Sequence, residues 1–488
     1  MTPPVNSAAA KRPEPAGIRE VPLYAKREHI YQKEVQGPWQ RRRAVALFIL
    51  AGIFLLTPWL NWEGRQGLWF DLPSRKFYLF DLTFWPQDFI FLSWLLMIAA
   101  FSLFFFTALA GRLWCGYACP QTVWTKFFMW IEWLIEGDRN DRIRLDRNAW
   151  SAEKVGRKAM KHGAWLLLSV VVALTFIGYF SPIRELLPRV ASGGLSGWET
   201  FFACFFTAAL YLDAGWMREQ ICKYACPYAR FQGAMFDTNT LTIFYDRQRG
   251  EPRGHRSRSA AARGTGLGDC IDCGLCVHVC PTGIDIRKGT QYECIGCAAC
   301  IDACDNVMDD MGYAKGLVRY ASETSLKTGH LRILRPRVVG YGVILTLIMS
   351  TFAYALSQRV PLRVDVLHDR ARLYRMTSDG LIENTYTLKV MNLDQHPHDY
   401  QVTASGLGGL ALVAPETLRV EPGAILDVPV RLQAPPEATS QQSYEVQFTV
   451  RSTDQADVVV NEKTRFIAPP PASHEEEHEH DSSRPDHD

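Results

Sequence analysis

Five long apolar blocks, two consecutive runs of four cysteines and a strand-rich stretch near the C-terminus predict a multi-domain membrane protein. Its expected parts are a five-helix transmembrane bundle, a bacterial-type double [4Fe–4S] ferredoxin module and a C-terminal all-β immunoglobulin-like sandwich. The chain has 488 residues, too many for one domain, and its 53 Lys and Arg nearly balance 51 Asp and Glu. The basic residues flank the apolar blocks instead of forming one large patch, so nucleic acid is not an expected partner.

Residues 1–36 are polar and proline-bearing and read as a flexible cytoplasmic arm; no cleavable signal peptide is apparent before the first apolar block. Residues 37–240 form the transmembrane region, with spans predicted at 44–60, 88–110, 164–180 and 198–216; a fifth follows at 338–356. Each approaches the roughly 20 apolar residues that a helix needs to cross the hydrocarbon. Basic residues set the orientation. Arg41, Arg42 and Arg43 precede the first span, and Arg139, Arg142, Arg144, Arg147, Lys154, Arg157, Lys158 and Lys161 lie between the second and third. Arg332, Arg335 and Arg337 precede the fifth, whereas 61–87 and 181–197 are poor in such residues. The rule that basic loops stay inside predicts a multi-pass protein of a bacterial inner membrane, with the N-terminus and cysteine runs cytoplasmic and the C-terminal domain periplasmic. All 13 cysteines lie between 115 and 304, as a reducing compartment for that segment requires.

The second and fourth spans each lead into a C-x-Y-A-C-P motif: Cys115-Gly116-Tyr117-Ala118-Cys119-Pro120 and Cys222-Lys223-Tyr224-Ala225-Cys226-Pro227. An i, i+4 spacing puts two thiols on one side of a helix, and each proline then ends that helix or opens the next. If the second and fourth spans pack together, Cys115, Cys119, Cys222 and Cys226 converge at the membrane surface. Thiolates select Cu(I), Zn(II) or iron–sulfur over hard cations. Four readings stay open: copper binding, a redox-active pair, a third iron–sulfur cluster, or packing. Cys204, alone within the fourth span, reads as a packing residue. Gln121–Glu136 is amphipathic, with Gln121, Thr122, Thr125, Lys126, Glu132 and Glu136 opposite Trp124, Phe127, Phe128, Trp130, Ile131, Leu134 and Ile135. Such a helix is expected to lie in the membrane interface.

Residues 241–330 carry the cysteine runs Cys270-x2-Cys273-x2-Cys276-x3-Cys280-Pro281 and Cys294-x2-Cys297-x2-Cys300-x3-Cys304. In this spacing the fourth cysteine of each run reaches the other cluster. That assigns Cys270, Cys273, Cys276 and Cys304 to one [4Fe–4S] cluster and Cys294, Cys297, Cys300 and Cys280 to a second. Asp305 stands where proline usually follows, and its charge is expected to shift the nearby potential. The stretch Gly264–Gly268 reads as a linker, since it lacks the strand–turn–helix context of a phosphate loop.

Residues 360–470 alternate in short stretches, Leu362–Leu367, Tyr386–Val390, Ile425–Leu432 and Tyr444–Val450, between turn signals, which predicts the sandwich without a disulfide. It shows no catalytic constellation and is expected to dock another protein; His396 and His398 read as loop residues. The acidic tail 471–488, with His474, His478, His480 and His487, is expected to be disordered, with weak metal capture as an option.

Two C-x3-C-P motifs, a double-cluster segment, a last span and an exported sandwich, in this order over roughly residues 20–470, resemble the cytochrome c oxidase accessory proteins of the FixG/CcoG type. The resemblance implies assembly of cbb3-type cytochrome oxidase and a cupric reductase activity, Cu(II) to Cu(I). In that case Cys115, Cys119, Cys222 and Cys226 bind and reduce copper, and the eight module cysteines hold the electron relay. Expected partners are membrane lipid, cbb3-type oxidase subunits or copper-delivery proteins, an electron donor the sequence does not reveal and, as an option, a second copy of the chain. Two other readings are a quinol-linked membrane ferredoxin similar to the NapH type and a non-enzymatic iron–sulfur sensor or scaffold.

Overall fold

The structure, a computed structural model, describes residues 29–258, 266–369 and 372–470. The His-bearing tail, most of the N-terminal arm and Gly264–Thr265 of the expected linker lie outside these residues.

Among the described residues, five helices are long and apolar enough to cross a membrane. They are Pro38–Leu56, Phe89–Ala110, Ala152–Ile177, Gly197–Leu210 with a π-helical continuation over Tyr211–Met217, and Pro336–Ser357. The first and third start well before their apolar blocks. Pro38 suits a first helical turn, where its missing N–H is not needed. Ser151 caps the third helix by accepting from the Lys154 N–H at 3.2 Å. At 1.5 Å per residue its 26 residues exceed the ~30 Å hydrocarbon thickness, so its charged first turns stand outside.

The second span packs against the fifth, and the third against the fourth. The second and fourth spans therefore do not form the pair that was expected to gather the C-x3-C-P thiols; the segments that follow them do this instead.

Opposite ends of the bundle carry different material. At one end, strand Thr242–Tyr245 pairs antiparallel with Val318–Ala321 and closes the cysteine-rich module. The N–H groups opening the first span point into this module: Trp39 and Gln40 donate to the Asp302 carboxylate at 3.2 and 2.7 Å. At the other end, strands Leu68–Asp71, Lys76–Leu79 and Leu82–Phe84 form a small meander that carries the sandwich. Lys76 Nζ donates to the Gly423 carbonyl at 2.7 Å, Arg359 meets Asp88 at 2.7 Å, and Trp85 is buried with Met391 and Leu393.

The sandwich joins a five-stranded and a four-stranded antiparallel sheet. Its core includes Tyr386, Val430, Leu432, Phe448 and Phe466, and the Tyr386 hydroxyl donates across the sheets to the Arg465 carbonyl at 2.9 Å. All four expected strands are present, lengthened at their ends. His398 is not a loop residue: it opens strand His398–Ser405, is buried, and pairs with Asp394 at 2.9 Å.

Candidate functional site

Both cysteine runs wind in the same way. Asp272 and Gly274 in the first, and Gly296 and Ala298 in the second, lie in the left-handed region. Alternating right- and left-handed residues turns backbone N–H groups towards a common concavity that favours anions. One hollow is lined by Cys270, Cys273, Cys276 and Cys304, and a second by Cys280, Cys294, Cys297 and Cys300, with Cys276 at its border. This grouping matches the crossed assignment read from the spacing. The remaining lining is mostly apolar, from Leu275, Val307, Met308 and Leu317 in the first and Ile243, Ile284 and Ile286 in the second. Burial pushes the Cys276, Cys294 and Cys304 thiols up to about 12 and raises Cys300 well above its ordinary value, so the thiolate form needs a cationic partner. Among the described residues no three His, Cys, Asp or Glu side chains close on a single ion. Four sulfurs facing across an apolar hollow fit a polynuclear cluster instead. Asp305 accepts from the Gly316 N–H at 2.9 Å, which ties its carboxylate to the backbone.

The C-x3-C-P motifs are built differently from the expected single helix. Cys115 lies in the short helix Leu113–Tyr117, and Cys119 is the N-cap of helix Pro120–Glu136. Cys222 lies in the π-helical turn Ile221–Ala225, and Cys226 is the N-cap of helix Pro227–Ala234. Each pair thus straddles a helix break, with proline opening the second helix. The four thiols come within electrostatic reach of one another. Burial raises Cys115 to about 12, against Arg112 and with Cys119, Cys222 and Cys226 adding to the rise. Burial likewise raises Cys222 to about 12. At Cys119 burial outweighs the N–H groups of Thr122 and Gln121. Cys204 is exposed on the fourth span.

Side chains that the sequence reading passed over hold these segments together. Arg112, buried, donates to the Ala229 carbonyl and ties the first motif to the second. The Cys115 thiol donates to Gln232 Oε1 at 3.1 Å, and the fully buried Gln232 amide reaches Thr107 at 3.2 Å and Tyr228 at 2.5 Å. Arg112 stands three residues before Cys115 and Gln232 five after Pro227, polar positions too common to single out.

Helix Pro120–Glu136 is amphipathic as read, but its polar face is not in water. Thr122, Lys126, Glu132 and Glu136 are buried, while Leu134 is 77% exposed on the opposite side. Glu132 meets Arg218 at 3.0 Å, Arg142 at 3.2 Å and Lys161 at 3.7 Å; Glu136 meets Lys161 at 2.8 Å and Lys158 at 3.1 Å. Burial alone would raise Glu132, but Arg218, Arg142 and Lys161 outweigh it and hold the carboxyl at about 2. The basic residues that set the predicted orientation thus also neutralise a buried acidic face. A cavity beside this network is lined by Cys222, Met129, Glu219, Arg43 and Lys126 and reaches Pro281 and Thr282 of the module.

Comparison with known proteins bears on this arrangement. A family model described as a 4Fe-4S dicluster domain matches residues 217–323, and one described as a 4Fe-4S binding domain matches 91–137. The immunoglobulin-like fold at the C-terminus of FixG matches 352–469. The nitrogen fixation protein FixG of Rhizobium meliloti is 36% identical over 423 residues, 79% of this chain and 81% of that protein. Protein RdxA of Cereibacter sphaeroides is 41% identical over 430 residues, 85% and 88% of the two chains. A crystal structure of a FixG-related protein from Vibrio parahaemolyticus aligns at 30% identity over 22% of this chain and 95% of its own, with a TM-score of 0.20.

Proposed function

This chain belongs to the FixG family of membrane iron–sulfur redox proteins, and from that premise we propose that it reduces Cu(II) to Cu(I) at Cys115, Cys119, Cys222 and Cys226. The observation that carries the reading is the meeting of four thiols at the helix ends that abut the cysteine-rich module. Soft sulfur favours Cu(I) over Cu(II), so the same ligands favour the reduced product and retain it. Cys270, Cys273, Cys276 and Cys304 would hold one [4Fe–4S] cluster, and Cys280, Cys294, Cys297 and Cys300 the other. Bound there, such clusters supply single electrons, the number that Cu(II) requires. Buried Arg112 and Gln232 keep the two cysteine pairs facing each other.

The product is proposed to serve copper-centre assembly in cbb3-type cytochrome oxidase. The module and thiols would face the cytoplasm and the sandwich the periplasm, where the sandwich is suited to docking an oxidase subunit or a copper-delivery protein. Separation of the two domains at opposite bundle ends and the basic residues around the module support this orientation.

A second reading has a specific observation behind it. The model described as a 4Fe-4S binding domain spans Cys115 and Cys119, and the four thiols do not close on a single ion, so a third cluster is its alternative content. One experiment separates them. Anaerobically purified protein, reduced and then mixed with Cu(II), is followed by cluster absorbance in wild type and in Cys115→Ser/Cys226→Ser. Fast reoxidation lost in the variant, with iron content unchanged, supports copper reduction. Iron lost from the variant supports the third cluster, and equal rates with equal iron favour a quinol-linked relay.

A further inference from the structure

The two C-x-Y-A-C-P motifs differ at their second position, Gly116 in one and Lys223 in the other. Gly116 is buried, and a Cβ placed on it would stand 2.9 Å from the carbonyl oxygens of both Ile295 and Gly296. Backbone meets backbone there, with no side chain between. Approach from the other side is also tight, since a Cβ on Gly296, at φ +67°, would lie 3.3 Å from the Arg112 carbonyl oxygen. Both partners are pinned: Arg43 Nε donates to the Gly116 carbonyl at 2.9 Å, and the Tyr320 hydroxyl to that of Gly296 at 2.5 Å. Cys115 packs in the same apolar cluster as Ile295, Cys297 and Cys300.

We propose that Gly116 is the electron port between the module and the thiol site, a positioning residue that lets the Cys294–Cys297 loop touch the Cys115 turn. The inference rests on the copper-reduction reading and divides labour between the repeats. Ile295 follows Cys294, Gly296 precedes Cys297, and Gly116 follows Cys115, so each end of the contact is one residue from a sulfur. Cys222, in the motif with lysine, borders the cavity lined by Met129, Glu219 and Ile295, a place for the ion to enter and leave. The step is one electron from the reduced centre held by Cys280, Cys294, Cys297 and Cys300 to Cu(II) at Cys115. No covalent bond forms or breaks, and the thiols are not consumed.

An alanine methyl at 116 meets backbone oxygens that cannot swing aside, so the two loops must separate. In Gly116→Ala, reoxidation of dithionite-reduced clusters by copper sulfate should slow on the order of tenfold. Reoxidation by ferricyanide, iron content, the cluster electron paramagnetic resonance spectrum and Cu(I) retention should stay as in wild type. Lys223→Ala should leave every rate unchanged. An unaltered copper rate in Gly116→Ala, with Cys115→Ser/Cys226→Ser still inactive, overturns the port while leaving copper reduction standing. Equal rates in wild type and the double serine variant overturn both. If Gly116→Ala loses its clusters, Arg43→Lys, which removes the Nε–H donor to Gly116, decides by the same copper-to-ferricyanide ratio. A fall supports the port, and no change overturns it.

Discussion

The cysteine-rich module and the C-x3-C-P site both gather thiols, but different forces place them. Within the module, Cys270, Cys273 and Cys276, or Cys294, Cys297 and Cys300, are brought round by a few local dihedrals, with Asp272, Gly274, Gly296 and Ala298 in left-handed conformations. At the C-x3-C-P site, sulfurs more than 100 positions apart are held by long-range polar contacts through Arg112, Gln232 and Arg43. A site made by local winding depends on its own ligands. One assembled across the chain depends on residues that touch no metal at all.

The largest effect tests the local half. Cys300→Ser removes one sulfur from the second hollow and leaves three in an apolar wall. Iron and acid-labile sulfide should fall by about half, since one of two four-iron clusters is lost. Chemical analysis of the purified protein gives the answer; a loss of all iron would mean that the hollows fill only together.

Next is the network under the assembled half. Glu132→Ala leaves Arg142, Arg218 and Lys161 buried without their shared carboxylate, a change that costs about 3–5 kcal/mol. Thermal unfolding in detergent should show it as a large drop in midpoint, with iron content retained at lower temperature. The wild-type carboxyl sits at about 2, below its ordinary value of 4.5. Its contribution is therefore fully present above pH 4.5 and fades as the pH falls towards 2. The gap in midpoint between wild type and Glu132→Gln should narrow over that window.

A smaller effect is expected at Gln232. Replacement by leucine keeps the volume but strips Thr107, Tyr228 and the Cys115 thiol of a buried partner, worth about 1–3 kcal/mol. If the site is assembled by such contacts, Gln232→Leu should weaken Cu(I) retention, read by chelator competition, without altering the module's spectrum. Unchanged retention would mean that the cysteine pairs find each other without it.

Legibility in the sequence follows the same division. Ferredoxin spacing, apolar blocks and strand alternation are each written within a few to some twenty consecutive residues, and the structure has all three. The C-x3-C-P thiols were expected to converge if the second and fourth spans packed together; the spans pair otherwise, because nothing in the second span's apolar surface tells the fourth from the fifth. The helix Gln121–Glu136 was read as amphipathic correctly. That its polar side turns inward depended on Arg142, Lys161 and Arg218, whose distant positions gave no sign of a common partner. His398 was misplaced for a similar reason: its partners Asp394 and Asp454 meet it only once the sheet forms.

The mildest prediction concerns the joint between the two halves. Asp302 lies between Cys300 and Cys304, yet its carboxylate caps the first transmembrane helix through the N–H groups of Trp39 and Gln40. A Cβ on Gly37 would collide with that carboxyl, so the capping position is reserved for glycine. Asp302→Asn keeps one acceptor oxygen but removes the charge at the helix N-terminus, a loss of about 1 kcal/mol. The unfolding midpoint should fall slightly while the cluster spectrum stays unchanged. Asp302→Ala, lacking both acceptors, should lower it further. Should Asp302→Asn instead alter the cluster spectrum, the carboxylate acts on the neighbouring thiols and not only on the helix, and the module could no longer be called locally determined.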